Sequence, residues 1–359
     1  MTKLLLGNNK DLLEEMENGS IDALITDPPY LINFMGKDWD KENSPAGDKD
    51  FWALVLKKMK PGAHGVVFGH SRQHHRVMTA LEDAGFEIRD CLMWLYGSGF
   101  PKSHNVGKAI DSFQKTGKSN PKSLKEVEQE HGGESYELRG KNNGIMGEEK
   151  VWDRKKYETQ TGWEGWGTAL KPAYEPIILV RRPIEKKLTV AKNVLKHGVG
   201  GINIDASRVG SETRTNNPTS PSGLQPHYKG GWKPGNEPKT VQGRFPANVM
   251  LDEEAGKILN EQVKEANRFF YCPKVSKKER NAAGKNTHPT VKPIALMKYL
   301  VKLITPQGGK VLDPFMGSGS TGMACVELGN IFIGMEREVE YYEIATDRIE
   351  HTKENKDAS

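Results

Sequence analysis

Ile21-Asp22-Ala23-Leu24-Ile25-Thr26-Asp27-Pro28-Pro29-Tyr30 is the stretch that decides the fold. Its first six residues form a short apolar run that reads as a buried strand, and two prolines then forbid both a further ladder hydrogen bond and an immediate helix. The strand therefore stops at Thr26 and a rigid turn follows. At the end of a parallel strand, where open α/β sheets bind ligands, that turn fixes a carboxylate, two proline carbonyls and an aromatic ring relative to one another. Asp27 and the Pro28 carbonyl can accept both hydrogens of an exocyclic amine, and Tyr30 offers a face on which a base can stack.

A second stretch answers it near the other end: Val311-Leu312-Asp313-Pro314-Phe315-Met316-Gly317-Ser318-Gly319-Ser320-Thr321-Gly322. Gly317, Gly319 and Gly322 satisfy the G-x-G-x-x-G fingerprint of dinucleotide-binding folds, and Glu336 lies about 20 residues on, where an acid binds ribose hydroxyls. A nicotinamide-dependent dehydrogenase fits these letters. Three features weigh against it. Asp313-Pro314-Phe315-Met316 separates the strand from the first glycine and suits a cofactor with an amino-acid end better than a pyrophosphate. Only 37 residues follow Gly322, too few to finish a nucleotide-binding sheet. The missing strands stand upstream, beginning at Lys3. The sheet is thus expected to be assembled from both ends of the sequence, with Glu336 near Lys3 and Asp27 one or two strands from Asp313.

Between these stretches the βαβ rhythm continues. Strands are expected at Lys3 to Gly7, Gly65 to Gly69, Phe86 to Tyr96, Ile177 to Arg181, Ile202 to Asp205, Arg268 to Tyr271, Lys310 to Asp313 and Ile331 to Met335. Helices are expected at Lys10 to Glu17, Phe51 to Met59 (ended by Pro61-Gly62), Ser71 to Ala84, Val190 to Lys196, Glu253 to Val263, Ile294 to Leu303, Ser318 to Leu328 and Val339 to Ile349, with a frayed tail from His351. Gln114 to Lys156 reads as a polar insertion without its own core, and Gly210 to Gly243 as a long segment that is either disordered or wrapped around a partner.

Asp-Pro-Pro-Tyr followed, far downstream, by the glycine stretch resembles the amino-methyltransferases that act on adenine N6 or cytosine N4 in DNA. The order of the two motifs matches that family's beta class, in which the sheet is circularly permuted, and the likeness is to members of the phage and prophage type. The resemblance covers nearly all of the chain except 114–156 and 210–243. It implies an α/β, Rossmann-like S-adenosylmethionine-dependent methyltransferase sheet with an inserted target-recognition region. One catalytic half would span 1–182, the recognition region 183–285 and the cofactor-binding half 286–359. Asp27, Pro28, Pro29 and Tyr30 take the catalytic positions, while Asp313, Pro314, Phe315, Gly317, Ser318, Gly319, Thr321 and Glu336 take the cofactor positions. The block Thr287-His288-Pro289-Thr290-Val291-Lys292-Pro293 matches the motif beside the methionine end of the cofactor, so His288, Thr290, Lys292 and Pro293 join that set. Asn8 stands where the family carries an acid that accepts from the cofactor's adenine amine; it keeps the acceptor oxygen and loses the charge. Gly36-Lys37-Asp38-Trp39-Asp40 also matches a family run. Lys102, Ser103 and His104 lie in a segment that covers the DNA face in relatives, Tyr174 and Glu175 border the target-base pocket, and Arg208 and Arg244 lie in the recognition region.

The implied activity is transfer of a methyl group to adenine N6 in double-stranded DNA, because Asp rather than Ser precedes Pro-Pro-Tyr. Cytosine N4 is the alternative, and a catalytically inactive DNA-binding protein on the same fold is the alternative of a different class. Composition agrees with a polyanionic partner: Arg181 to Lys285 holds 20 Lys and Arg against 10 Asp and Glu, although the whole chain carries only +5. Cys91, Cys272 and Cys325 are odd in number and far apart, which points to reduced thiols. A cytosine-C5 enzyme needs a cysteine after a proline, and none of the three follows one. His70, His74 and His75 lack a nearby carboxylate or thiol, so no metal is expected. No stretch approaches the roughly 20 apolar residues of a membrane span. A cytoplasmic protein is expected, with a homodimer compatible.

Overall fold

The computed structural model describes residues 2–31, 44–97, 99, 103–117, 161–216, 239–271 and 291–357. In chain order these form β1 (Thr2–Leu6), α1 (Asn9–Glu14), β2 (Ile21–Thr26), α2 (Lys49–Lys58), β3 (Met59–Phe68), α3 (His74–Asp83), β4 (Glu87–Leu95) and α4 (Val106–Thr116). There follow β5 (Tyr174–Arg181), α5 (Val190–His197), β6 (Val209–Asn216), β7 (Lys239–Arg244), β8 (Val249–Leu251), α6 (Glu253–Gln262) and α7 (Ile294–Ile304). The last elements are β9 (Lys310–Asp313), α8 (Ser320–Leu328), β10 (Ile331–Glu336) and α9 (Val339–Asp357). Two compact units emerge, residues 1–97 with 174–359, and residues 98–173.

The larger unit is built on an eight-stranded sheet in the order β1-β10-β9-β2-β3-β5-β4-β8. All neighbours are parallel except β5, which runs against both β3 and β4. Thr2 to Leu6 pair with Phe332 to Glu336, and Ala23 and Leu24 pair with Val311 and Leu312. Chain from both ends therefore does close one sheet, and β2 and β9 are immediate neighbours.

Residues of β2, β3 and β9 alternate between two apolar clusters. Ala23, Ile25, Val66, Phe68 and Val311 join α7 and α8 on one side, while Ile21, Leu24, Val67 and Leu312 join α2 and α3 on the other. This is the double burial that near-continuous apolar strands demand. Asp22 is the polar exception in β2, and its carboxylate is consumed locally. It accepts from Lys60 Nζ at 2.6 Å and from the Lys310 backbone N–H at 2.8 Å, tying β2 to both flanking strands. Helix α7 buries eight side chains, Ile294, Leu296, Met297, Tyr299, Leu300, Val301, Leu303 and Ile304. At roughly 1.5–3 kcal/mol for each large apolar side chain, α7 is a firm anchor for the residues immediately before it.

Several local expectations are corrected. Pro61-Gly62 lies inside β3, which begins directly after α2; a register shift between Ile21 and Ala23 against Met59 and His64 accommodates the proline at a bulge. Asn193 fastens this irregularity, donating to the Pro61 and Val199 carbonyls at 2.9 Å each and accepting from the Glu185 N–H at 3.0 Å. Ile202 to Asp205 is not a strand: a single 3-10 turn over Asp205–Ser207 follows instead. Arg268 to Tyr271 is also mostly a 3-10 turn, Ala266–Phe269, and only Tyr271 bridges the sheet edge at Met250. The two ends of the Gly210 to Gly243 segment pair as the antiparallel strands β6 and β7. The charged tail is helical to Asp357. Among the described residues no helix is long and apolar enough to cross a membrane, and no group of three or more His, Cys, Asp or Glu is placed to hold a metal.

Candidate active site

Every residue of β2 is buried, and the chain leaves the sheet at Asp27, whose side chain is 22% exposed. Leu31 then takes a positive φ of 58°, so the tetrapeptide ends in a tight, non-helical bend. Tyr30 donates its hydroxyl hydrogen to Asp27 Oδ1 at 2.8 Å. The same hydroxyl is 3.2 Å from Glu175 Oε2, which the antiparallel β5 brings in from the opposite direction. Lys292, just ahead of α7, places its ammonium 2.6 Å from Asp27 Oδ2, 3.0 Å from the Tyr30 hydroxyl and 3.2 Å from Glu175 Oε2. Burial alone lowers the Lys292 pKa, but the two carboxylates more than reverse it and leave it raised. Burial first, then the negative Asp27 and Glu175, hold the Tyr30 phenol well above its ordinary value. The site thus keeps a charged lysine and a neutral tyrosine. His70, at the end of β3, lies with its ring 6.0 Å from that of Tyr30.

One strand away, Asp313 ends β9 and is 2% exposed. Its Oδ1 accepts from Thr26 Oγ1 at 2.7 Å and from the Phe315 N–H at 3.1 Å, and its Oδ2 accepts from Thr321 Oγ1 at 2.7 Å. Thr26, the residue before the Asp27–Tyr30 turn, is thereby latched to the acid that opens the glycine loop. Burial pushes the Asp313 pKa up to about 7 against the pull of these donors. A folded-state value above that of an exposed aspartate means that folding favours the protonated form. The stabilising contribution is therefore complete near about pH 4 and is lost as pH rises through about 7. Asp313→Asn removes this dependence. Urea unfolding is expected to show the wild type losing about 2 kcal/mol relative to the variant between about pH 5 and 7; equal slopes would contradict the assignment.

The loop turns on Gly317 and Gly319, with φ of 52° and 79°. Gly322 is required for another reason. A Cβ there would meet Ile349 Cδ1 at 2.4 Å and the Phe332 ring at 2.7 Å, so only glycine lets α8 pack on β10 and α9. Glu336, at the tip of β10, accepts from the Gly317 N–H at 2.8 Å through Oε2 and from the Arg337 and Glu338 N–H groups at 2.9 Å through Oε1. A carboxylate with further lone pairs at a strand end, beside the first turn of a helix rich in N–H donors, suits a ligand with vicinal hydroxyls and a carboxylate. The residues present fit S-adenosylmethionine on both counts.

Other expected site residues have structural employment. The Asn8 oxygen caps α1 by accepting from the Lys10 N–H at 2.9 Å, and the neighbouring Asn9 donates to the Pro314 carbonyl at 3.1 Å. Phe315 packs its ring 5.3 Å from Phe51 and 6.3 Å from Trp52. The Ser318 hydroxyl receives Arg348 Nη1 at 2.9 Å. Pro293 precedes the first turn of α7. Arg208 pairs with Asp205 and Arg244 with Glu212, each at 2.8 Å. Tyr174 is 37% exposed at the start of β5. Within residues 98–173, Ser103 Oγ accepts from the Thr168 N–H at 2.9 Å and the His104 N–H donates to Thr168 Oγ1 at 3.0 Å, closing a loop there. Lys102, His288, Thr290, Trp39, Asp40 and Cys272 lie outside the described residues. Thr26 and Arg348 were not singled out in the sequence; the position of Thr26 directly before Asp27 was a usable signal, whereas a lone arginine in a polar helix gave none.

The pattern of the N6/N4 family described as DNA methylase matches residues 21–347. Type II methyltransferase M.HindIII of Haemophilus influenzae is 23% identical, over 96% of this chain and 93% of that protein. Among solved structures, a complex of M1.HpyAVI with SAM is 19% identical with a TM-score of 0.44, covering 97% of this chain and 100% of that one. PvuII DNA methyltransferase, titled cytosine-N4-specific, is 14% identical with a TM-score of 0.48, covering 97% and 86%. The family pattern runs from the first residue of β2 into α9 and takes in both motifs, so the chain belongs to the N6/N4 DNA methylase family.

Proposed function

We propose that the protein methylates the N6 amine of adenine in double-stranded DNA, using S-adenosylmethionine, with the target base rotated out of the helix. The observation that carries this reading is the adjacency of β2 and β9: the Asp-Pro-Pro-Tyr turn and the glycine loop leave the same edge of neighbouring parallel strands, latched by the 2.7 Å bond from Thr26 to Asp313. S-adenosylmethionine, when bound, supplies an electrophilic sulfonium methyl. Glu336 and the first turn of α8 would hold its hydroxyl and carboxylate ends.

An aryl amine is a poor nucleophile because its lone pair is delocalised into the ring. Asp27 and the Pro28 carbonyl accept its two hydrogens, draw them out of the ring plane and aim the nitrogen for in-line attack. The Tyr30 ring stacks on the flipped base. No covalent enzyme intermediate is required: the nitrogen–methyl bond forms as the sulfur–methyl bond breaks, and the amine gives up one of its two hydrogens to water as a proton. Asp27 before Pro-Pro-Tyr favours adenine by the tendency of the family. Residues 183–285, with the β6–β7 pair, serve as the target-recognition region, and the type II designation of M.HindIII supports a role in DNA modification. The circular order of the two motifs supports the beta class.

The test is transfer of label from methyl-tritiated S-adenosylmethionine to duplex DNA, followed by digestion and mass spectrometry of the nucleosides. N6-methyl-2′-deoxyadenosine is the expected product. N4-methyl-2′-deoxycytidine would move the specificity to cytosine, and tight DNA binding without label transfer would identify an inactive binding protein.

A further inference from the structure

The Lys292 side chain is 8% exposed, and its ammonium has three acceptors within 3.2 Å: Asp27 Oδ2, the Tyr30 hydroxyl and Glu175 Oε2. An ammonium has three hydrogens, so these acceptors match its donors in number. The Phe68 ring covers the charge at 4.9 Å from Nζ to the centroid. The parts of this arrangement come from four places in the chain: the turn after β2, the end of β3, the start of β5 and the segment before α7. Two carboxylates that meet at one point in a half-buried site repel each other unless a cation stands between them.

The terminal torsion of an aspartate is broad and nearly two-fold, so a carboxylate left to itself does not hold one plane. Here Asp27 is gripped from both sides, by Tyr30 on Oδ1 and by Lys292 on Oδ2. Glu175 in turn holds the lysine in place. We propose that Lys292 is a positioning residue for the methyl-accepting amine: with Glu175 as its second anchor, it fixes the plane of the Asp27 carboxylate. The family resemblance assigns the block around Lys292 to the cofactor; the ammonium's own bonds assign it to the acceptor side of the reaction. This inference rests on the methyltransferase reading above. Among the described residues, Tyr96, which feels both Glu175 and Lys292, and His70 beside Tyr30 also face the cluster.

The test compares Lys292→Met, Glu175→Gln, the double variant and Lys292→Arg in single-turnover methyl transfer, with cofactor affinity measured separately by calorimetry. K292M is expected to slow transfer by on the order of 10- to 100-fold and to leave cofactor affinity within about threefold. Glu175 acts through the lysine it anchors, so the double variant is expected to match K292M in rate within about threefold. Lys292→Arg keeps the charge without the tetrahedral donors and is expected to lie between the wild type and K292M in rate, with cofactor affinity unmoved. It decides the matter should K292M not fold. Loss of cofactor affinity by tenfold or more in either variant would make Lys292 a cofactor residue and overturn the proposal, as would a K292M enzyme working at the wild-type rate. A wild-type chain that transfers no methyl at any pH would instead refute the methyltransferase reading itself.

Discussion

Asp27→Ala is expected to abolish methyl transfer, lowering the single-turnover rate by at least about a thousandfold, while cofactor affinity stays near that of the wild type. The magnitude follows from removing a preorganised acceptor in a site where the charge it stabilises develops only during reaction, an effect typically worth 10²- to 10³-fold for one hydrogen-bonding partner. Losing the carboxylate that also holds Tyr30 at 2.8 Å adds misalignment of the Tyr30 ring. The fold should survive, because the Lys292 ammonium keeps Glu175 at 3.2 Å and Tyr30 at 3.0 Å as partners. Asp27→Asn separates shape from charge: it preserves one acceptor oxygen and the side-chain volume, so its rate should lie between the two. Robust turnover by the alanine variant, measured as label in DNA per enzyme in one cycle, would remove Asp27 from the mechanism.

The parts of the site that were legible in the sequence are those that local chemistry spells out. Six apolar residues halted by two prolines can hardly be anything but a buried strand with a rigid end, and that places Asp27 at a sheet edge. Glycines at 317 and 319 announce positive φ, and the apolar runs at Lys3 to Gly7 and Ile21 to Thr26 supply the strands that flank β10 and β9. What stayed hidden was set by partners remote in sequence. Arg268 to Tyr271 has the aromatic letters of a strand, yet Val249–Leu251 occupies the edge beside β4, the chain turns in a 3-10 helix over Ala266–Phe269, and Tyr271 is left a single bridge. Pro61 looks like a breaker until Asn193, 132 residues away, takes up its carbonyl. The basic surplus between Arg181 and Lys285 read as a free polyanion surface, but Arg181, Lys196, Arg208, Arg244, Lys257 and Arg268 each face a carboxylate. Exposed pairs such as those of Lys196, Lys257 and Arg268 contribute at most about 1 kcal/mol, so phosphate can compete for these three cations, whereas Arg181 is buried against Glu87.

Arg348 carries the second large effect, and it is the clearest instance of a residue that only the folded chain explains. Read in sequence, it belongs to a charged terminal helix and invites no comment. In the structure it is 3% exposed, and its Nη1 donates to the Ser318 carbonyl and to the Ser318 and Ser320 hydroxyls, the latter two at 2.9 and 3.5 Å. The last helix thus pegs the glycine loop from below, at the turn between Gly317 and Gly319 and the start of α8. Arg348→Ala removes a charge-assisted donor from a buried carbonyl and leaves a cavity where the guanidinium and its stem packed, at a cost of about 3 kcal/mol in folding stability. Because the loop conformation depends on the same bonds, S-adenosylmethionine affinity is expected to fall by on the order of 10- to 100-fold. Arg348→Lys keeps the charge but offers donors from a single point, so it should recover stability more than loop geometry. Urea unfolding and calorimetric titration of the cofactor on the two variants test this directly. If alanine leaves both quantities unchanged, the loop is held by its own glycines and by Glu336 alone, and the packing of the last helix has no bearing on the cofactor site.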